Sequence, residues 1–163
     1  MSNKQRQTLS ALVENKSGVL SSIAGLFSGR GFNIASLTVG ETVNPDISRM
    51  TIVVEGDHRT LEQVVKQLRK LVVTIKVEDF AGRPFISSEL LMVKVSAPPA
   101  KRGEIMDIIK VFNGKVVDMT SNTLVIRFTG ETDLIDDVIE VLKPYGIKET
   151  ARTGALALGR ESR

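Results

Sequence analysis

No cysteine and no tryptophan occur among these 163 residues, and there is one tyrosine and one histidine. The missing thiols exclude a disulfide framework, a thiolate nucleophile and a Cys-type zinc site, and they suit a reducing compartment. Aromatic residues make up 4% of the chain. That is too few for the stacking platforms on which a sheet binds single-stranded nucleic acid. The net charge is +3, from 22 basic and 19 acidic residues scattered along the sequence, and no dense basic run marks a nucleic-acid partner. No apolar run approaches the ~20 residues a membrane-spanning helix needs. The polar residues 1–7 have no apolar segment to serve as a signal peptide. A cytoplasmic location without a membrane partner is the expectation.

Catalytic constellations are missing as well. His58 follows Asp57 at a predicted helix start and reads as an exposed capping-region histidine. Asp136, Asp137 and Glu140 crowd one predicted helix and read as its solvated side, with no metal site expected. Gly25, Gly29 and Gly31 stand at a helix end with the wrong spacing for a dinucleotide fingerprint. There is no Walker-type loop and no Gly-x-Ser-x-Gly elbow. No catalytic residue and no bound cofactor are assigned to this chain.

What the sequence does contain is periodicity. Leu9, Ala11 and Val13 alternate in a strand. Val19, Leu20, Ile23, Leu26 and Phe27 then follow helical spacing. Ala35, Leu37 and Val39 alternate again, Asn44-Pro45-Asp46 signals a turn, and Met50, Ile52 and Val54 form a third strand. A helical stripe from Leu61 to Leu68 and a short strand through Ile75 and Val77 complete the order β-α-β-β-α-β. The same order begins again at Leu91, Val93 and Val95 and closes near Ile147. The predicted fold class is α+β, with two ferredoxin-like βαββαβ units. They are expected at 1–79 and 89–163, with 80–88, which holds Gly82 and Pro84, as a linker. The tail carries Ala155-Leu156-Ala157-Leu158 as a candidate edge strand. One sheet face of the first unit is expected to stay open, with Leu12 and Ile34 pointing there. An open face and free edges predict a homodimer made through the first units.

The most informative stretch is Asn15-Lys16-Ser17-Gly18-Val19-Leu20, where a strand turns into the first helix, followed by Gly29-Arg30-Gly31-Phe32-Asn33-Ile34, where that helix ends. A helix N-terminus offers free N–H groups and the positive end of a dipole, which suit a carboxylate. Gly18 permits close backbone approach. A carboxamide can donate to a carboxylate and accept from an ammonium, and Asn15 and Asn33 both lie at strand ends, within reach of that point in a split β-α-β unit. Val19, Leu20 and Ile34 can line a small apolar pocket for a branched side chain. These features together suit a receptor for a free amino acid, although spacing alone favours a plainer reading. In that reading Asn15 and Asn33 are turn residues, Ser17 is a helix N-cap and Gly18 relieves strain.

Three segments carry a family resemblance: residues 13–20, residues 25–39 from Gly25-Leu26-Phe27 through Asn33-Ile34-Ala35-Ser36-Leu37-Thr38-Val39, and Ser48-Arg49-Met50-Thr51-Ile52. They closely resemble the small, regulatory subunit of acetolactate synthase (acetohydroxyacid synthase). In the second half, residues 89–95, Phe112-Asn113-Gly114-Lys115-Val116-Val117-Asp118 and Ala151-Arg152-Thr153-Gly154 are similar to that family's C-terminal segments. The resemblance implies an N-terminal ACT domain, the amino-acid-sensing ferredoxin-like module, and a C-terminal ACT-like domain. It implies a non-catalytic subunit that binds the large catalytic subunit, raises its activity and confers feedback inhibition by valine in branched-chain amino acid biosynthesis. Thiamine diphosphate, Mg and FAD would then belong to the catalytic subunit. Valine would lie between the N-terminal domains of two protomers, and the site carried onto this chain comprises Asn15, Gly18, Val19, Leu20, Ser21, Asn33 and Ile34. The alternative within the same resemblance is an ACT-domain amino-acid sensor that regulates a different enzyme.

Overall fold

The computed structural model describes residues 5–161. In order, the elements are β1 (Gln5–Glu14), α1 (Val19–Ser28), β2 (Asn33–Glu41), β3 (Ile47–Gly56), α2 (His58–Lys70), β4 (Thr74–Asp79), β5 (Phe85–Ser96), α3 (Pro99–Val111), β6 (Lys115–Met119), β7 (Thr123–Gly130), α4 (Thr132–Leu142), β8 (Ile147–Arg152) and β9 (Leu156–Gly159). The chain forms two compact units, one of residues 1–86 with 155–163 and one of residues 87–154. Both are α+β and have the ferredoxin-like β-α-β-β-α-β order.

In the first unit the antiparallel sheet runs β2-β3-β1-β4. Alternation dictates its two faces. Leu9 pairs with Ile52 and Ala11 with Met50, so one face presents an unbroken apolar surface. Ile23 and Phe27 of α1 and Leu61, Val64 and Leu68 of α2 pack against it, all buried. Each fully buried leucine or isoleucine contributes about 1.5–3 kcal/mol of transfer free energy, which holds both helices on one side. The Phe27 and Phe32 rings meet edge-on at 6.2 Å and fix the turn from α1 into β2. Asp57 caps α2, its Oδ1 accepting from the Thr60 N–H at 2.7 Å. That bond holds the Asp57 carboxyl below its ordinary value.

Three expectations for this unit are corrected. Ile34 does not point to the open face. It pairs with Val54, and Leu37 pairs with Ile52, because a bulge between Ile34 and Ser36 inserts one residue and resets the phase. Both side chains therefore pack against the helix-side core. Nor is the opposite face fully open. Ala155 and Ala157 of the tail are buried, and the Ala157 N–H donates to Thr51 Oγ1 at 3.3 Å. That approach suits the small residues of this face, Ser10 and Thr51, which are also buried. The tail is a strand that pairs with β5, and the Arg160 N–H donates to the Pro84 carbonyl. Residues 80–88 are not a free linker either: Phe80 is buried and stacks on Phe85 at 4.9 Å, and β5 already begins at Phe85. The first unit therefore extends past 79 and recovers the tail assigned to the second.

The second unit repeats the pattern with its four long strands in the order β6-β7-β5-β8. Leu91, Val93 and Val95 of β5 pair with Phe128, Ile126 and Leu124 of β7. Ile105 and Ile109 of α3 and Ile135, Val138 and Leu142 of α4 cover them. Pro99 opens α3, where its missing N–H is not needed. A buried carboxylate, Glu89, takes Arg152 through both oxygens at 2.6 and 3.2 Å. Arg152 also reaches Asp136 at 2.8 Å, and Glu89 foremost raises its pKa.

Candidate functional site

The β1–α1 turn is built by two local devices. Gly18 adopts φ 85°, the left-handed region, and serves as the N-cap of α1. A side chain is disfavoured there by backbone sterics and not by neighbours, since a Cβ at Gly18 would meet nothing within 4 Å. No side chain caps the helix, so the expectation of Ser17 as N-cap is not met. The first intrahelical donor is the Ser22 N–H, bonded to the Gly18 carbonyl at 2.9 Å, and Ser22 Oγ reaches the same oxygen at 3.1 Å. Among the described residues, the N–H groups of Leu20 and Ser21 have no acceptor. They open to solvent at the positive end of the helix.

Asn15, which opens the same turn, is held by the β2–β3 hairpin. Its backbone N–H donates to the Asp46 carbonyl at 2.8 Å. Its Nδ2 donates to the Pro45 carbonyl at 2.8 Å and to Glu41 Oε1 at 3.2 Å. The carboxamide oxygen accepts no hydrogen bond among the described residues. The loop thus presents two free amides, one carboxamide oxygen and one carboxylate, a set able to hold a carboxylate and an ammonium a few ångströms apart. Sequence reasoning missed Glu41. Its signal was the Asn44-Pro45-Asp46 turn, which folds β2 back and brings its last residue to the end of β1.

Asn33 is elsewhere. As the first residue of β2 it pairs with Glu55, and its Nδ2 donates to Glu55 Oε2 at 3.1 Å. Glu55 Oε1 takes Arg6 Nε at 2.7 Å. Glu14, next to Asn15, pairs with Ile47 at the other end of β3. Eight residues of strand at ~3.3 Å each separate the two pairings, about 26 Å. The expectation that Asn15 and Asn33 reach one point within a chain is therefore wrong. They share a strand–helix–strand unit but occupy its opposite ends, because α1 carries the chain from one end of the sheet to the other.

Of the apolar site residues, Val19 is buried, Leu20 is 52% exposed and Ile34 is half-buried. Leu20 joins Ser21, Ala24, Gly25 and Ser28 on the outward face of α1, and the whole helix, VLSSIAGLFS, carries no charge. Among the described residues β2, at the sheet edge beside it, pairs only with β3. Among the described residues no group of three or more His, Asp or Glu side chains is placed to hold a metal ion, and no helix is long and apolar enough to cross a membrane.

Comparison with known proteins places this geometry in a family. A family model described as an AHAS small subunit-like ACT domain matches residues 9–76, and one described as the small subunit of acetolactate synthase matches residues 88–161. The chain is 50% identical over 155 residues to a probable acetolactate synthase small subunit of Archaeoglobus fulgidus, covering 95% of this chain and 97% of the relative. It is 48% identical to the acetolactate synthase small subunit of Aquifex aeolicus, covering 96% and 82%. The crystal structure of the acetolactate synthase small subunit from Thermotoga maritima superposes with a TM-score of 0.88 at 36% identity, covering 98% of this chain and 99% of that one. On these matches, end to end in sequence and in fold, the chain belongs to the acetolactate synthase small subunit family.

Proposed function

We propose that this chain is the regulatory subunit of an acetolactate synthase: it activates the thiamine-diphosphate-dependent catalytic subunit and conveys feedback inhibition by valine. It has no catalytic role of its own, and thiamine diphosphate, Mg and FAD reside on the catalytic subunit. The observation that carries the reading is the β1–α1 turn of a family member, with the free Leu20 and Ser21 amides beside a tethered Asn15 and Glu41. The amides receive the amino acid's carboxylate, and the Asn15 oxygen and Glu41 receive its ammonium. Leu20 offers apolar surface to the branched side chain.

The distance between Asn15 and Asn33 supports a site shared by two copies. Two α1 helices packed antiparallel through their uncharged faces, with β2 edges adjoining, bring the start of one helix to the end of the other. The Asn15 turn of one protomer then meets Asn33 and Ile34 of the second, and a two-fold axis generates two such sites. Ligand binding is in this way coupled to dimer geometry, and the effector acts by its differential affinity for two dimer states, a coupling of about 1–3 kcal/mol.

The test is reconstitution. The chain is added to its catalytic subunit, and acetolactate formation is followed with and without valine, alongside calorimetric titration of the chain with valine, leucine and isoleucine. Stimulation by the chain and loss of activity on adding valine are expected. An unchanged rate in both arms would refute the reading, and acetolactate formation by the chain alone would refute its non-catalytic role.

A further inference from the structure

The outward face of α2 has a charge pattern that neither the fold nor the effector site uses. Leu61, Val64, Val65 and Leu68 face the core, so Arg59, Lys66, Arg69 and Lys70 fall on the solvent side, all exposed. Arg30, just past α1, adds a fifth cation. Even when Asp57 and Glu62 are counted against them, the surplus equals the net charge of the whole chain, +3. The basic excess is thus concentrated on one face, although the sequence reads as dispersed.

These cations are also unpaired. Lys76, Lys94, Lys101 and Lys110 each meet a carboxylate within 4 Å. Arg30, Arg59, Lys66, Arg69 and Lys70 make no ion pair within 4 Å with another described residue, and neither do Arg83, Lys115, Arg127, Lys148 and Arg160; what sets the first five apart is their gathering around one helix. Arg69 and Lys70 in the last turn complement the dipole of α2 and Glu62 precedes Lys66 by four residues, but neither effect calls for Arg30 and Arg59 on the same side. At its N-terminal end the face opens into a shallow cleft of about 460 Å³ lined by Arg30, Phe32, Arg59, Thr60 and Gln63. Arginine beside an aromatic ring is the composition of protein-interface anchors, and an open cleft suits a protein surface better than an enclosed small molecule.

We infer that the outward face of α2, with Arg30 and Phe32 at its end, docks onto an acidic surface of the catalytic subunit. The inference rests on the proposed regulatory role and adds the surface that performs it. It leaves the uncharged face of α1 to the second copy. Opposite charges on the two partners steer their encounter and fix its register, and salt weakens the attraction.

The experiment measures the dissociation constant between the full-length chain and the catalytic subunit, at about 50 mM and about 300 mM salt. The triple variants Arg59→Glu/Lys66→Glu/Lys70→Glu and Arg59→Gln/Lys66→Gln/Lys70→Gln are compared with the parent, and a control, Asp133→Lys/Asp137→Lys, alters the acidic α4. Thermal melts and valine titration confirm that each variant folds and keeps its effector site. Expected are weakening by salt in the parent, a loss of about tenfold or more for the glutamate triple at low salt, a smaller loss for the glutamine triple, and no change for the α4 control. Unchanged affinity for the glutamate triple or equal weakening by the α4 control would each overturn the inference. If the parent does not bind the catalytic subunit at all, the regulatory reading itself fails. Binding with an unaltered glutamate triple sinks the α2 surface alone.

Discussion

Asn15 and Asn33 stand at opposite ends of one four-stranded sheet, the first beside the Glu14–Ile47 pairing and the second opposite Glu55. A ligand touching both carboxamides has to be held by two chains. On the proposed reading, in which valine touches both, the effector site is a property of the dimer and carries a stoichiometric signature.

Mixed dimers test that arrangement directly. Asn15→Ala and Asn33→Ala homodimers are each expected to lose valine affinity by roughly ten- to thirty-fold, the loss of one charge-assisted hydrogen bond. In a heterodimer of the two variants, one site carries both lesions and the other carries none. Calorimetry on the purified heterodimer should show one high-affinity site per dimer. A heterodimer as weak as either homodimer would rule out a shared site.

Gly18→Asp places a carboxylate beside the Leu20 and Ser21 amides. The Cβ meets nothing within 4 Å, and the φ of 85° is the main cost, about 1–2 kcal/mol for a non-glycine residue. The variant should fold with a melting temperature a few degrees lower. It should still activate the catalytic subunit and resist valine. Wild-type valine sensitivity in the activity assay would remove the turn from the effector site.

The Glu89–Arg152 pair lends itself to a stability test. Arg152→Ala leaves Glu89, 4% exposed, without its guanidinium, and a loss of about 3 kcal/mol is expected in denaturant unfolding. Glu89→Gln keeps hydrogen-bonding capacity at the same place and should lose less. Equal losses would mean that the charge itself is immaterial there.

Packing around Phe128 admits no added methyl at Gly114, whose Cβ would lie 2.3 Å from the Phe128 ring. Phe128 is 1% exposed and enclosed by the second core, so the ring cannot swing away cheaply. Gly114→Ala should destabilise by about 1–3 kcal/mol, read as a lower midpoint of urea unfolding without change in slope.

Acid should loosen the chain through Asp57. The Thr60 backbone amide holds its carboxyl below the ordinary 3.8. The folded state therefore binds that proton less readily than the unfolded chain does. Its contribution is fully present above 3.8 and disappears as pH falls through the lower, folded value. Thermal melts across this window should show a shallower acid limb for Asp57→Ala than for the parent. Parallel limbs would show that the cap does not titrate with folding.

Much of this was legible in the residues because the signals are local. Alternation at Leu9, Ala11 and Val13 and helical spacing from Leu61 to Leu68 each report a buried face directly, since side-chain direction repeats every two residues in a strand and every 3.6 in a helix. The doubled β-α-β-β-α-β order follows from those periods. Asn15, Gly18 and Leu20 stood out for a similar reason: a strand-to-helix turn exposes amides wherever it occurs.

Other features depended on contacts between distant segments. The bulge that turns Ile34 toward the core exists only in its pairing with β3, and periodicity alone assigned that side chain to the wrong face. Glu41 reaches Asn15 only through a hairpin. The tail returns to Thr51 because Ala155 and Ala157 are small enough to lie against a sheet face bearing Ser10 and Thr51. The cations of α2 look scattered along the chain, and a helix gathers them onto one side. The sequence by itself determined which segments are strands, which are helices and which strand-to-helix turn opens the first helix, because those follow from neighbours along the chain. Only the tertiary structure decided which residues meet, because register, bulges and returning strands are set by packing across the sheet.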